Sequence, residues 1–508
     1  MNRNKFIKIL ALAAAASLAF SVTACNAVNS TETSGTSSET TEAETSETVL
    51  SSETVTETSV SQKPVITEAD IPINEELNNS NDSEHVIEVD GETASYSNVR
   101  VTKTGNSDEG DKADFYGDNA AIFATNGSTL TLSEIIVDTD GTHANGVFSY
   151  GEGTTVNISD SVITTSGNCS GGLMTTGGGT MNAENLNIHT TGNSSAAIRS
   201  DRGGGTVNVS GGSYVTDGKG SPVIYSTADI TVSDATMEST SSQGVVVEGK
   251  NSVTLNNVTL TADNNSKNSD KSSYYQAVMI YQSMSGDAAE GRASFTMTGG
   301  SLTNKNGDVF FVNNTVTTIT LEDAEIINLD EDGVFLRAAA AGWGSEGSNG
   351  GKVDLYLKNQ TLEGDIIVDG VSGLNMYLSS GTTYTGAVNS DNEGEVYVEI
   401  ESGSKWILTG DSYITSLTCD ADAIDLNGYT LYINGTAYSK GSASTGEVVV
   451  FASSSGSHGG SDGQPGDRPD GQPGDKPQGD PPSGGPGGDG EPPSGGPGGD
   501  GEPPAKPD

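Results

Sequence analysis

The blocks AAIFATNGSTLTLSEIIVDTDGTH (120–143), ANGVFSYGEGTTVNISDSVITTSGNC (144–169), SGGLMTTGGGTMNAENLNIHTTGNS (170–194), SAAIRSDRGGGTVNVSGGSYVTDGKG (195–220), SPVIYSTADITVSDATMESTSS (221–242) and QGVVVEGKNSVTLNNVTLTADN (243–264) repeat one theme. Their first apolar anchors, Ile122, Val147, Leu173, Ile198, Val223 and Val245, are separated by 25, 26, 25, 25 and 22 residues. A period in this range means stacked units, none of which can bury its apolar face alone. Each block holds a short apolar run, a Gly/Ser/Asn/Asp turn, an alternating strand such as TVNI (155–158) or TVNV (206–209), and a third short strand. Three strands per turn, rich in β-branched residues, predict one coil of a right-handed parallel β-helix. About a dozen such coils fill the chain, with apolar side chains inside and Thr, Asn, Ser and Asp laddering outside. An antiparallel β-sandwich of many short strands gives no reason for so constant a repeat. No segment of these blocks reads as a helix.

The run RSDRGGGTVNV (199–209) resembles the right-handed β-helix repeats of bacterial surface lipoproteins and adhesin-like proteins, in the style of pertactin-type autotransporter passengers. The resemblance spans roughly residues 95–450 and implies architecture far more than activity, because β-helices also carry polysaccharide lyases and hydrolases.

Both ends differ from the body. Arg3, Lys5 and Lys8 precede a short apolar run at 9–20, and residues 1–24 read as a targeting segment. The segment ends Val22-Thr23-Ala24-Cys25, which resembles a lipobox, so Cys25 is the expected lipidation site and the membrane is reached through that anchor alone. Residues 25–85 are rich in Ser, Thr and Glu and are expected to form a disordered tether, with the β-helix at 86–452 and a Pro/Gly-rich acidic tail at 453–508. The formal charge of −46 on 508 residues argues against nucleic acid and anionic-membrane partners.

Candidate chemistry is sparse. Arg199, Asp201 and Arg202 come nearest to a lyase constellation, in which carboxylates hold calcium and an arginine draws a proton from the sugar. They read better as exposed turn charges on one coil. The acidic stretch LEDAEIINLDEDG carries Glu322, Asp323, Glu325, Asp330, Glu331 and Asp332, and Asp330 and Asp332 could collect Ca²⁺ without matching an EF-hand spacing. Tyr274, Tyr275, Tyr281 and Trp343, placed on loops, could stack on sugar rings. His85, His143, His189 and His458 are scattered without zinc-ligand spacing. Cys169 and Cys419 lie about ten coils apart, too far for a disulfide, and are expected to be unpaired small buried residues.

Together these readings predict a monomeric, lipid-anchored cell-surface protein that binds an extracellular polysaccharide or cell-wall polymer. A polysaccharide-cleaving enzyme on the same scaffold, or a structural wall component, are the alternatives.

Overall fold

Alternation decides which side chains go in. In Thr129–Ser133 the leucines Leu130 and Leu132 are buried while Thr129 and Thr131 face out. The same pattern recurs in Ser252–Asn256 and Val316–Glu322, the period of two expected of a strand with one wet face. A computed structural model of the chain describes residues 64–267, 269–441 and 446–451, and it is a parallel β-helix. A 20-stranded sheet and an 11-stranded sheet run along its length, with a 4-stranded sheet and a 3-stranded sheet at its C-terminal end. All strand pairings are parallel except that of Leu431–Ile433 with Thr436–Ala437.

The 11-stranded sheet carries the anchor column. Ile87, Ile122, Val147, Leu173 and Ile198 pair in direct register. The column continues through Ile224, Val245, Val278, Phe310 and Leu336, and ends at Ile366 and Val388. Five of the six expected anchors stand in it, and Ile224 rather than Val223 fills the remaining place. Near its middle the core widens to take Phe295, Phe310 and Phe335, which meet edge to face at 5.4 and 5.5 Å.

A second column fixes the turn in the earlier coils. Gly105, Gly141, Gly167, Gly192 and Gly218 stack so closely that a β-carbon on Gly192 would fall 1.8 Å from the Gly167 carbonyl oxygen. Beside them a hydroxyl ladder closes the turn. Ser195 Oγ donates to the Gly167 oxygen at 3.1 Å and accepts from the Ser170 backbone N–H at 3.0 Å. Ser170 and Ser221 repeat the donor bond at 2.8 Å each. Buried polar backbone is thereby satisfied from coil to coil.

Three departures from the expected coils stand out. The excursion after Ser107 forms the short helix α1 (Gly110–Tyr116), which closes on Gly117 in the left-handed region at φ 77°. It lies on the outer side of the 11-stranded sheet, where the Phe115 carbonyl accepts from Thr176 Oγ1 at 2.7 Å. At the N-terminal end the fold begins earlier than residue 86. Glu75–Asn79 pairs with Val99–Lys103, and Ile66, Ile71 and Ile73 pack on Ile136 and Val162, so residues 64–85 belong to the helix and not to a tether. Apolar side chains such as Ile71, dispersed among Glu and Asn, supplied the burial that the local composition concealed. At the other end Val449 exchanges two hydrogen bonds with Asn375, at 2.8 and 3.1 Å, folding residues 446–451 back on the outer wall. Residues 1–63, with Cys25, and 452–508 lie outside the described residues.

Stacking this tight leaves no room for a methyl group. Gly192→Ala should destabilise the protein by upwards of about 2 kcal/mol, seen as a fall in the urea midpoint. An unchanged midpoint would mean that the turns do not stack as described.

Candidate functional site

Two outer surfaces carry non-random chemistry. On the 20-stranded sheet, outward positions of successive coils stand in register, so equal side chains form columns. Thr129, Thr155, Thr180 and Thr206 make one column, and Thr131, Asn157, Asn182, Asn208 and Thr231 make its neighbour. The asparagines are tied amide to amide. Asn182 donates to Asn157 at 2.9 Å and Asn208 donates to Asn182 at 2.9 Å. Each amide still has a second N–H and a further acceptor lone pair for solvent or ligand. With Thr131, Thr231, Ser159, Glu184, Ser210 and Ser233 the three asparagines line an open groove of about 470 Å³. Beyond Thr320 the same column continues as Tyr356 and Tyr377, whose rings stack at 4.6 Å.

The second surface is the outer side of the 11-stranded sheet, and most of it is covered. Phe123, Phe148 and Met174 form an apolar stripe with Ala120 near α1. Val246, Met279, Phe311 and Trp343 form another under the later excursions. Between them lies a polar cluster. His143 and Cys169 occupy the same place in adjacent coils, each at φ 56°. His143 N–H donates to the Asn168 carbonyl at 2.9 Å, and Cys169 N–H donates to that of Asn193 at 2.8 Å. Helix α1 brings Asp114 over them, with Oδ1 3.0 Å from His143 Nδ1. The three donor atoms of Asp114, His143 and Cys169 lie within 4.8 Å of one another. Burial works against a charged imidazole, but hydrogen bonding to Asp114 and Cys169 overcomes it and raises the His143 pKa to about 10.

Arg199 joins this cluster to its neighbour. Only 9% exposed, it donates through Nη2 to Asp201 at 2.8 Å and reaches Asp114 at 3.5 Å. Its Nη1 finds no partner among the described residues. Burial opposes the guanidinium charge, and Asp114 and Asp201 more than restore it. Two carboxylates sharing one guanidinium leave Asp201 short of compensation. Burial therefore dominates and pushes its pKa up to about 6, against the pull of Arg199 and with help from the charge on Asp114. Further along, the buried Glu248 accepts from the hydroxyls of Tyr225, Tyr281 and Ser283. Arg202 closes the surface. It lies over the Phe115 ring at 3.9 Å and bonds Asp287 at 2.7 Å, stapling helix α1 to the excursion at 282–291.

Several expectations change here. Arg199 and Asp201 are not exposed turn charges, because α1 roofs over the outward positions they occupy. They are also too enclosed for the polymer-cleaving arrangement of a lyase. Tyr281 and Trp343 are buried 5.1 Å apart, so they pack a lid onto the sheet instead of offering faces to sugars. Tyr274 lies against Phe311 and beneath Arg337, and Tyr275 beneath Lys267. Asp330 uses its oxygens on the backbone N–H groups of Gly307 and Asp332, as a turn-forming carboxylate does, and Asp332 stands exposed beside it. Among the described residues the group of three or more metal-ligating side chains is Asp114, His143 and Cys169, which includes a histidine read as isolated. Its signal lay in the blocks themselves, where His143 and Cys169 each stand two residues past the stacked glycine. Cys169 and Cys419 are both buried, and neither is in a disulfide.

No family model, curated protein or solved structure matches this chain.

The Asp201 carboxyl gives a pH signature. Its folded pKa of about 6 lies above the usual 3.8, so its protonated form favours folding. That contribution is full below about pH 4 and is lost as pH rises through about 6. Asp201→Asn stays neutral throughout. Its melting temperature relative to wild type should therefore climb between about pH 4 and pH 7. A difference independent of pH, read by circular dichroism melts, would contradict the assignment.

Proposed function

We propose that the groove on the 20-stranded sheet binds a neutral extracellular polysaccharide along the helix axis, holding it without cleaving it. The observation that carries this reading is the registered grid of Thr, Asn and Ser side chains, repeated at the coil spacing of about 4.8 Å. A polymer with evenly spaced hydroxyls can make many weak hydrogen bonds to such a grid, and these add by multivalency without a deep pocket. The groove brings in a single carboxylate, Glu184, where glycoside hydrolysis uses a pair. The strong net negative charge disfavours polyanionic chains and leaves neutral ones.

In the same proposal the chain sits at the cell surface. Residues ending Ala24-Cys25 supply a lipid anchor, and the Ser/Thr/Glu-rich residues after them hold the helix away from the membrane. The resemblance to surface lipoproteins and adhesin-like passengers supports this placement.

The test is retention on insoluble cellulose, xylan and mannan, with de-esterified pectin as the polyanionic comparison. A neutral polymer should retain the protein, and no new reducing ends should appear. Replacing Asn157, Asn182 and Asn208 together by alanine should weaken retention at least about tenfold, from roughly 0.5 kcal/mol per lost hydrogen bond. Retention on pectin alone, or a folded triple variant that binds as well as wild type, would sink the reading.

A further inference from the structure

The cluster under α1 has no part in the groove. We propose that Asp114, His143 and Cys169 form a mononuclear site for a divalent cation of the zinc class.

The argument begins with backbone geometry. His143 and Cys169 both sit in the left-handed region, where a side chain costs about 1 kcal/mol and where the coil two further on has Gly220. In a solenoid, equivalent turn positions fall next to one another, so an imidazole and a thiol 26 residues apart in sequence point at one spot. Neither is core packing. Cys419 belongs to the continuous apolar core, whereas Cys169 does not and instead faces α1. The third donor, Asp114, arrives on the helix that roofs the spot. Gly110 of that helix is so close to the imidazole that a β-carbon there would lie 3.2 Å from Cε1.

The donor set selects the metal. One thiolate, one imidazole and one carboxylate suit a borderline cation such as Zn²⁺, whereas Ca²⁺ and Mg²⁺ want oxygen throughout. Three protein ligands leave a coordination position open. The surroundings fit as well. Arg199 bonds both Asp114 and Asp201, the kind of outer partner that orients a ligating carboxylate. Its unpartnered Nη1 is a buried donor available to a water, hydroxide or small anion completing the shell. With the thiol ionised, three negative groups face one guanidinium, and a single divalent cation cancels the excess. Binding sends the thiol proton, and any second proton on His143, to solvent.

A thiol nucleophile is the competing use of the same three residues. Cys169 is only 5% exposed beneath α1, which leaves an ion far better able to reach it than an organic substrate.

The probe is Co²⁺ added to the full chain, reduced and stripped with chelator. One Co²⁺ per chain should bind, giving a near-ultraviolet thiolate-to-cobalt charge-transfer band that one equivalent of Zn²⁺ removes. Cys169→Ser should abolish the band. His143→Gln should weaken binding by more than the roughly 10–100-fold typical of losing an outer partner. Cys25→Ser and Cys419→Ser should keep the band, with circular dichroism confirming that every variant folds. The proposal is overturned if folded wild type shows no such band, or if the band survives Cys169→Ser or depends on Cys25. Rapid alkylation of Cys169 without any cobalt band would overturn it in favour of thiol chemistry.

Discussion

Every coil of this protein must meet the next in parallel register, hydrogen bond for hydrogen bond. The rest of the structure follows from that condition. A strand that slipped by one residue would turn its apolar set outward, so the alternation in Thr129–Ser133 and its successors locks each coil to its neighbours. The glycine column and the serine ladder act at the same level. They bring backbones close enough at the turn that the anchors six residues after Gly141, Gly167, Gly192 and Gly218 land over one another.

Register also explains why the proposed function rests on columns and not on a pocket. A residue type repeated at one position of the coil becomes a stripe along the helix, as with Thr129, Thr155, Thr180 and Thr206. Amide ladders such as Asn157 to Asn208 tie coil to coil, and in the proposed reading the same side chains keep hydrogen-bonding capacity for a ligand. Where the outward stripe is apolar, as at Phe123 and Phe148 or at Met279 and Phe311, it must be covered, and α1 and the excursions carrying Tyr274 and Trp343 lie over such stripes.

The architecture was legible because the repeat is local information summed many times. The one misplaced anchor is instructive. Counting to the first apolar residue chose Val223, whereas counting six residues from the stacked glycine leads to Val147, Leu173, Ile198 and Ile224 alike. The geometric constant is the turn, not the start of the hydrophobic run. The excursions were illegible for the converse reason. Nothing periodic says that residues 108–119 fold into α1 and bring Asp114 onto His143, because that docking depends on Phe115 meeting the sheet and on Arg202 and Asp287 clamping it. Tyr281 and Trp343 look like loop aromatics for the same reason. A hint remained in runs such as VVV (245–247) and FF (310–311), where consecutive apolar residues mean that both faces of a strand are covered.

A solenoid also lowers the threshold for building a site. In most folds, bringing an imidazole to a thiol requires two unrelated segments to converge. Here the backbone already places turn position over turn position, so His143 and Cys169 need only occupy one column in adjacent coils. What the repeat cannot supply is enclosure, since an outer wall is open to water on its whole length. The excursion supplies it. With α1 in place, Asp114 completes the donor set, and Arg199 is buried beside Asp201 and the half-buried Asp114. The charged groups then act in a low dielectric that the bare wall could never provide. The division of labour is therefore physical: the regular coils set positions, and the irregular insertions set polarity and access.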